Sequence, residues 1–237
     1  MRNRRPSGRT ALNGAAGVNV KKLRLGILAS GGGTNLQSLI DGCRDGSLDA
    51  EIVLVISNNP GAGALTRAEQ AGIPHLCIDH RQFSERRLFD RSVVAALQES
   101  RVELVALAGF MRIVSELFLD AFPQRIINIH PALLPAFPGL HVQKQALEQG
   151  ARFTGCTVHF VDSGVDTGPI IIQAVVPILD DDTEESLSAR ILEQEHKIYP
   201  RAVQLIAQNR LRIEGRRVLV DADGISAAQS LINPPLD

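Results

Sequence analysis

From Leu23 onward, short apolar runs alternate with amphipathic segments: "LRLGILAS", "LQSLIDGCRDG", "EIVLVISN", "ALTRAEQAG", "HLCID", "ERRLFDRSVVAALQES" and "LVALAG". Compact apolar runs predict buried strands, and apolar positions three or four apart predict helices. Strand, helix, strand, helix in succession is the pattern of a parallel sheet covered on both faces. After "RIINIH" the rhythm changes. "CTVHFVDS" and "PIIIQAVVPIL" follow each other across a Gly-rich loop too short for a crossover helix, so these two strands are expected to be antiparallel neighbours. A long helix over about residues 184–208, kinked near Pro200, and a final hairpin in "LRIEGRRVLVD" complete the pattern. The expected fold class is α/β: an open, doubly wound, mostly parallel sheet with helices on both faces and antiparallel strands toward the carboxyl-terminal part.

No internal repeat or interdomain linker interrupts this pattern, so residues 21–237 are expected to form one domain. Residues 1–20 carry four arginines and no acid but no apolar core segment. They are read as a disordered extension rather than a secretory signal or an organelle transit peptide.

Composition narrows the function by exclusion. With a formal net charge of -1 and 44% apolar residues, the chain lacks the basic footprint that nucleic-acid binding requires. No run approaches the roughly 18 apolar residues of a membrane span, so a soluble, cytoplasmic protein is expected. Cys43, Cys77 and Cys156 form no CxxC pair and are read as buried thiols in a reducing compartment.

An open α/β sheet binds ligands beyond the carboxyl ends of its strands, so the residues just past each apolar run are the candidates for chemistry. "SGGGTN", residues 30–35, leads straight into a helix. Its glycines allow backbone amides close to a ligand, and the helix start adds positive partial charge, which outlines a phosphate cradle. It lacks the third glycine of GxGxxG and the GK[ST] ending of a P-loop, so a single phosphate on a small substrate fits better than a nucleotide. The other reading is a tight turn with Asn35 capping its helix.

"GFMRI" sets Phe110, Met111 and Ile113 around one arginine and suggests an apolar slot for a flat ring. In "RIINIH", Asn128 and His130 are two apart and share one face of a strand. Burying both would be costly unless a substrate supplied hydrogen-bond partners at a crevice edge. Asp166, in the Gly-flanked loop "VDSGVDTGPI", can reach the same crevice. An aspartate beside a histidine orients it and favours its charged form, suited to acid catalysis or oxyanion stabilisation. His159 is read as buried and structural. Glu195 falls on the buried stripe of the long helix and needs a partner, either a basic side chain or a polar ligand. No histidine spacing suits a metal, no GxSxG elbow occurs, and no cysteine lies in an apparent electropositive turn. What remains is a polarising site whose nucleophile comes from a substrate.

"SGGGTNLQSLID", "LAGFMRIVS", "NIHPALLPAFPGLH", "GCTVHFVDSGVDTGPIIIQ" and "QEHKIYP", in this order, resemble the phosphoribosylglycinamide formyltransferases of purine biosynthesis over about residues 23–212. Transfer-RNA formyltransferases share the Asn-His pair and the aspartate but lack the "GGGTN" loop. Formyltetrahydrofolate deformylases usually carry an amino-terminal regulatory domain. The resemblance implies a Rossmann-like formyltransferase fold and 10-formyltetrahydrofolate as donor co-substrate. Glycinamide ribonucleotide would be the acceptor, with no metal, no nucleic-acid or membrane partner, and a monomeric or homodimeric chain. It further implies that Gly33, Thr34, Asn35 and Glu195 bind the ribonucleotide. Arg86, Met111, Arg112, Ile113, Val114, Asn128, Asp162, Ser163, Gly164, Val165 and Asp166 would bind the folate, with Asn128, His130 and Asp166 as the catalytic set. Gly32, Thr34 and Ser163 depart from residues common at these positions in the family. The alternatives are a formyltetrahydrofolate hydrolase, in which water replaces the amine, another folate-dependent formyltransferase, a dinucleotide-dependent oxidoreductase, and a non-catalytic binding module.

Overall fold

A computed structural model describes residues 21–221; the basic segment 1–20, expected to be an extension, lies outside the described residues. Among the described residues, nine strands form one sheet in the order β3-β2-β1-β4-β5-β6-β7-β9-β8. The first five, β1 (Leu23–Ala29), β2 (Ala50–Ser57), β3 (His75–Cys77), β4 (Leu104–Leu107) and β5 (Ile126–His130), run parallel. Then β6 (Phe153–Phe160) is antiparallel to β5, and β7 (Ile170–Pro177) is antiparallel to β6. A hairpin of β8 (Leu211–Glu214) and β9 (Arg217–Val220) closes the edge, with β9 parallel to β7. The mostly parallel sheet and its antiparallel end match the expectation.

Side-chain alternation divides the core in two. Leu25, Ile27 and Ala29 of β1 join a cluster with Leu36 and Leu39 of α1 (Thr34–Asp45) and Leu187, Ile191 and Tyr199 of α6 (Glu184–Ala207). Leu28 points the other way, toward Phe89, Val93 and Leu97 of α3 (Arg86–Glu99) and Phe118 of α4 (Glu116–Ala121). Each fully buried Leu, Ile, Val or Phe side chain among these contributes about 1.5–3 kcal/mol. Two further helices, α2 (Gly63–Gln70) and α5 (Val142–Glu148), pack on the first face through Ala64, Ala68 and Ala146.

The chain passes from β1 outward to β2 and β3, then returns to place β4 on the other side of β1. That reversal opens a crevice at the carboxyl ends of β1 and β4. The Tyr199 hydroxyl donates to the Leu107 carbonyl at the end of β4 (2.9 Å), pinning α6 beneath the crevice. Burial raises this phenol well above its ordinary pKa, so it stays a donor.

Two expectations need adjustment. Helix α6 begins at a Thr183–Ser186 capping box and is helical without interruption through Pro200. The short edge strand β3 is exposed at all three positions, so Cys77 is an exposed thiol; Cys43 is half-buried, and only Cys156 is a core residue.

Candidate active site

The turn after β1 is shaped by what lies behind it. Gly33 caps α1 at φ 74°, and a Cβ there would meet the Ala64 Cα at 2.7 Å, so the position requires glycine on both counts. The Gly31 carbonyl accepts from the Ala64 N–H (3.1 Å), and the Gly32 carbonyl accepts from Arg67 Nε (2.8 Å). With these carbonyls tied back toward α2, the amides at the start of α1 are left for the crevice side.

Asn35 does not cap its helix. Its Nδ2 donates to Glu195 Oε2 at 2.7 Å, while its buried Oδ1 has no partner. The basic partner considered for Glu195 is not found: its protein partner is this amide. Burial pushes the Glu195 carboxyl above the usual range, and the Asn35 hydrogen bond offsets this only in part. Beside them an open groove of about 500 Å³ runs along α1, lined by Thr34, Gln37, Arg67 and His196 among others. His196, to which the sequence pattern assigns no role, has its pKa depressed by burial, and its buried Nε2 lacks a partner.

The β5–β6 register sets Asn128 opposite His159 and His130 opposite Thr157, all on one face of the sheet. Asp166, held at φ 54° in the loop after β6, faces this row. Its Oδ2 lies 3.3 Å from His130 Nδ1 and accepts the Gly139 N–H at 2.9 Å. Its Oδ1 lies 3.4 Å from Asn128 Nδ2 and 3.6 Å from His159 Nε2. Burial pushes the Asp166 carboxyl up, but the His159 contact, the Gly139 amide and the nearby His130 more than offset this and hold it below the usual range. Asp166 is thus an ionised anchor for the expected catalytic set.

His159 is buried, as expected, yet it belongs to the site. Its Nδ1 meets the Phe160 carbonyl at 2.8 Å, and its Nε2 lies 3.4 Å from Asn128 Nδ2, which orients the Asn128 amide. His130 has both nitrogens engaged, Nε2 lying 2.8 Å from the Phe137 carbonyl. The chain leaving β5 is anchored by β6 and β7. Thr157 Oγ1 accepts from the Leu134 N–H (3.1 Å) and donates to the Ala132 carbonyl (2.7 Å), while Gln173 donates to the Leu134 carbonyl (2.9 Å).

After β4, the expected apolar slot is open: Met111 is 68% and Ile113 59% exposed, and only Val114 is buried. Arg112 stacks over Phe89 at 4.9 Å. Arg86 donates to the Ile113 carbonyl and lies 3.5 Å from Asp90, so the structure does bring Arg86 to residues 111–114. In the other flanking loop, Asp162 accepts from the Gly164 N–H (3.1 Å) and the Thr167 hydroxyl (2.6 Å), leaving Ser163 and half-exposed Val165 outward. Among the described residues, no group of three metal-ligating side chains occurs, and no helix is long and apolar enough to cross a membrane.

The formyl transferase family model matches residues 23–203. The chain belongs to the formyl transferase family. It is 41% identical over 202 residues to a phosphoribosylglycinamide formyltransferase of Haemophilus influenzae, covering 85% of this chain and 95% of that protein. The chain is also 54% identical over 191 residues to the trifunctional purine biosynthetic protein adenosine-3 of Drosophila melanogaster, covering 80% of this chain but only 14% of that longer protein. The solved glycinamide ribonucleotide transformylase 1 of Symbiobacterium toebii shares its fold with a TM-score of 0.83 at 53% identity, covering 84% of this chain and 94% of the other.

Proposed function

We propose that the chain transfers the formyl group of 10-formyltetrahydrofolate to the primary amine of glycinamide ribonucleotide in de novo purine biosynthesis. The observation that carries this reading is the convergence of Asn128, His130 and His159 on Asp166 at the carboxyl end of β5. Beside it, the glycine loop fits a phosphomonoester, and the partnerless Asn35 Oδ1 together with Glu195 fits the hydroxyl or amine hydrogens of a ribonucleotide.

As the amine attacks the formyl carbon, the carbonyl π-electrons move onto oxygen and an oxyanion forms. Asn128 Nδ2, on exchanging one of its two 3.4 Å contacts, and a protonated His130 are the donors for it. The acceptor now on His130 Nε2, the Phe137 carbonyl, has the chemistry of a formyl oxygen, so the ring exchanges one carbonyl for another when substrate binds. Collapse of the intermediate breaks the bond from carbon to the folate nitrogen. Asp166, held ionised beside the His130 ring, relays the proton lost by the attacking nitrogen to the departing one. The folate would lie along residues 111–114 and 162–166, with Arg86 near its glutamyl carboxylates.

The same donors would serve hydrolysis by water, and the phosphate loop is what favours the amine acceptor. Mixing the protein with 10-formyltetrahydrofolate, with and without glycinamide ribonucleotide, while following the folate absorbance tests this. Turnover requiring the amine is expected; equal turnover without it would identify a hydrolase.

A further inference from the structure

Ser30 follows β1 directly and, lacking any imidazole at its hydroxyl, is no nucleophile. Its hydroxyl, its N–H and its carbonyl are nevertheless all engaged. The hydroxyl donates to Asn58 Oδ1 at 2.6 Å and accepts the Met111 N–H at 2.9 Å. Its own N–H donates to the Gly109 carbonyl at 3.0 Å. Asn58, only 6% exposed at the end of β2, is fixed in turn: Nδ2 lies 3.2 Å from His80 Nδ1, so the oxygen of the amide faces Ser30 and the nitrogen faces the ring. The Ser30 carbonyl takes a longer bond from Asn59 Nδ2 (3.4 Å).

This node sits where the two halves of the crevice meet. On one side the chain continues directly from Ser30 into Gly31, Gly32 and Gly33, with the Gly31 and Gly32 carbonyls tied to α2. On the other, Met111 begins the exposed segment beside Arg86. Met111 is the first residue of that segment, whose path is also held by the Arg86 bond to the Ile113 carbonyl and by Arg112 over Phe89. One hydroxyl therefore ties the ribonucleotide loop to the folate-lining segment, with Asn58 and His80 behind it as the brace.

We propose that Ser30 is a positioning residue for the transfer: through Asn58 and Met111 it sets the separation of the two substrates so that amine and formyl carbon meet at attacking distance. The inference rests on the function proposed above. Reactions between two bound substrates are steeply sensitive to such placement, and about 1 Å of misplacement costs on the order of 100-fold in rate.

Steady-state kinetics of Ser30→Ala, with calorimetric binding of each substrate analogue, test it. The expected result is kcat lower by about 10- to 100-fold, with KM and Kd for both ligands within about two-fold, since each subsite keeps its own contacts. Ser30→Thr, which retains the hydroxyl, should recover most of kcat. Should Ser30→Ala fail to fold, Ser30→Cys keeps the size with weaker bonding and should show the same kcat loss at unchanged KM. An unaltered kcat in the Ala or Cys variant, a matching loss of binding for both ligands, or Thr no better than Ala would overturn the proposal. Absence of amine-dependent turnover in the unmutated protein would instead sink the functional reading on which it rests.

Discussion

Asn35 and Glu195 are 160 residues apart in sequence, yet the Asn35 amide donates to the Glu195 carboxylate at 2.7 Å. The bond joins the first turn of α1 to the middle of α6 and holds a carboxylate that burial disfavours. Because its folded-state pKa is raised, Glu195 favours folding most below the unfolded carboxyl value of about 4.3, and that contribution is lost as pH rises through the folded pKa. Glu195→Gln keeps the shape and an acceptor for Asn35 while removing the charge. Its thermal midpoint should exceed that of the unmutated protein at pH 8 by a few degrees, with the gap narrowing toward pH 4.5; a chain of this size shifts about 2–4 °C per kcal/mol. Ribonucleotide binding should weaken in the same variant. A lower midpoint at pH 8 would show that the charge is stabilising.

His130→Ala and Asn128→Ala should each lower kcat by about a hundred-fold or more, because loss of one oxyanion donor typically costs about 3 kcal/mol in the barrier. Binding of either substrate should change little. Near-normal turnover in either variant would remove the oxyanion site.

Asp166→Asn separates charge from shape. The carboxyl is held below its ordinary range, so its contribution to stability is present above about pH 3.9, the unfolded value, and is lost as pH falls through the lower folded value. In urea titrations the variant should be less stable at pH 7, with the deficit shrinking below about pH 4. Activity at pH 7 should fall by about a hundred-fold or more. A deficit independent of pH would assign Asp166 a purely steric role.

Gly33→Val adds a side chain where the Ala64 Cα is 2.7 Å away and φ is 74°. A left-handed backbone at such a residue costs about 1–2 kcal/mol before any clash. Calorimetry should find ribonucleotide binding weakened and folate-analogue binding retained, with circular dichroism confirming the fold. Equal loss of both ligands would make the loop a structural element only.

Much of this fold is legible in sequence because its central strands, β1, β4, β5 and β6, are buried on both faces and its long helices carry regular stripes. The pairing of Asn128 with His130 follows from period two alone, and the short loop between β6 and β7 forces their antiparallel register. The short helices α4 and α5, of six and seven residues, offer too few turns for a recognisable period. From sequence His159 reads as structural because its neighbour across the sheet depends on strand pairing: only the β5–β6 register sets it against Asn128. The Asn35–Glu195 bond joins elements distant in the chain, so composition points to a needed partner for Glu195 without naming it. The segment after β4 is apolar in letters, but it lies over the crevice mouth with Met111 and Ile113 turned to solvent.

The exposed edge strand also gives the protein a natural handle for observation. Burial pushes the Cys43 and Cys156 thiols up to about 11 and about 12, leaving little thiolate on either at neutral pH. Cys77 is exposed and sits in register with Ser57, one residue before Asn58. A maleimide fluorophore offered at pH 7 should therefore attach at a single position on the rim of the crevice, without mutagenesis, and its emission can report ligand arrival in real time.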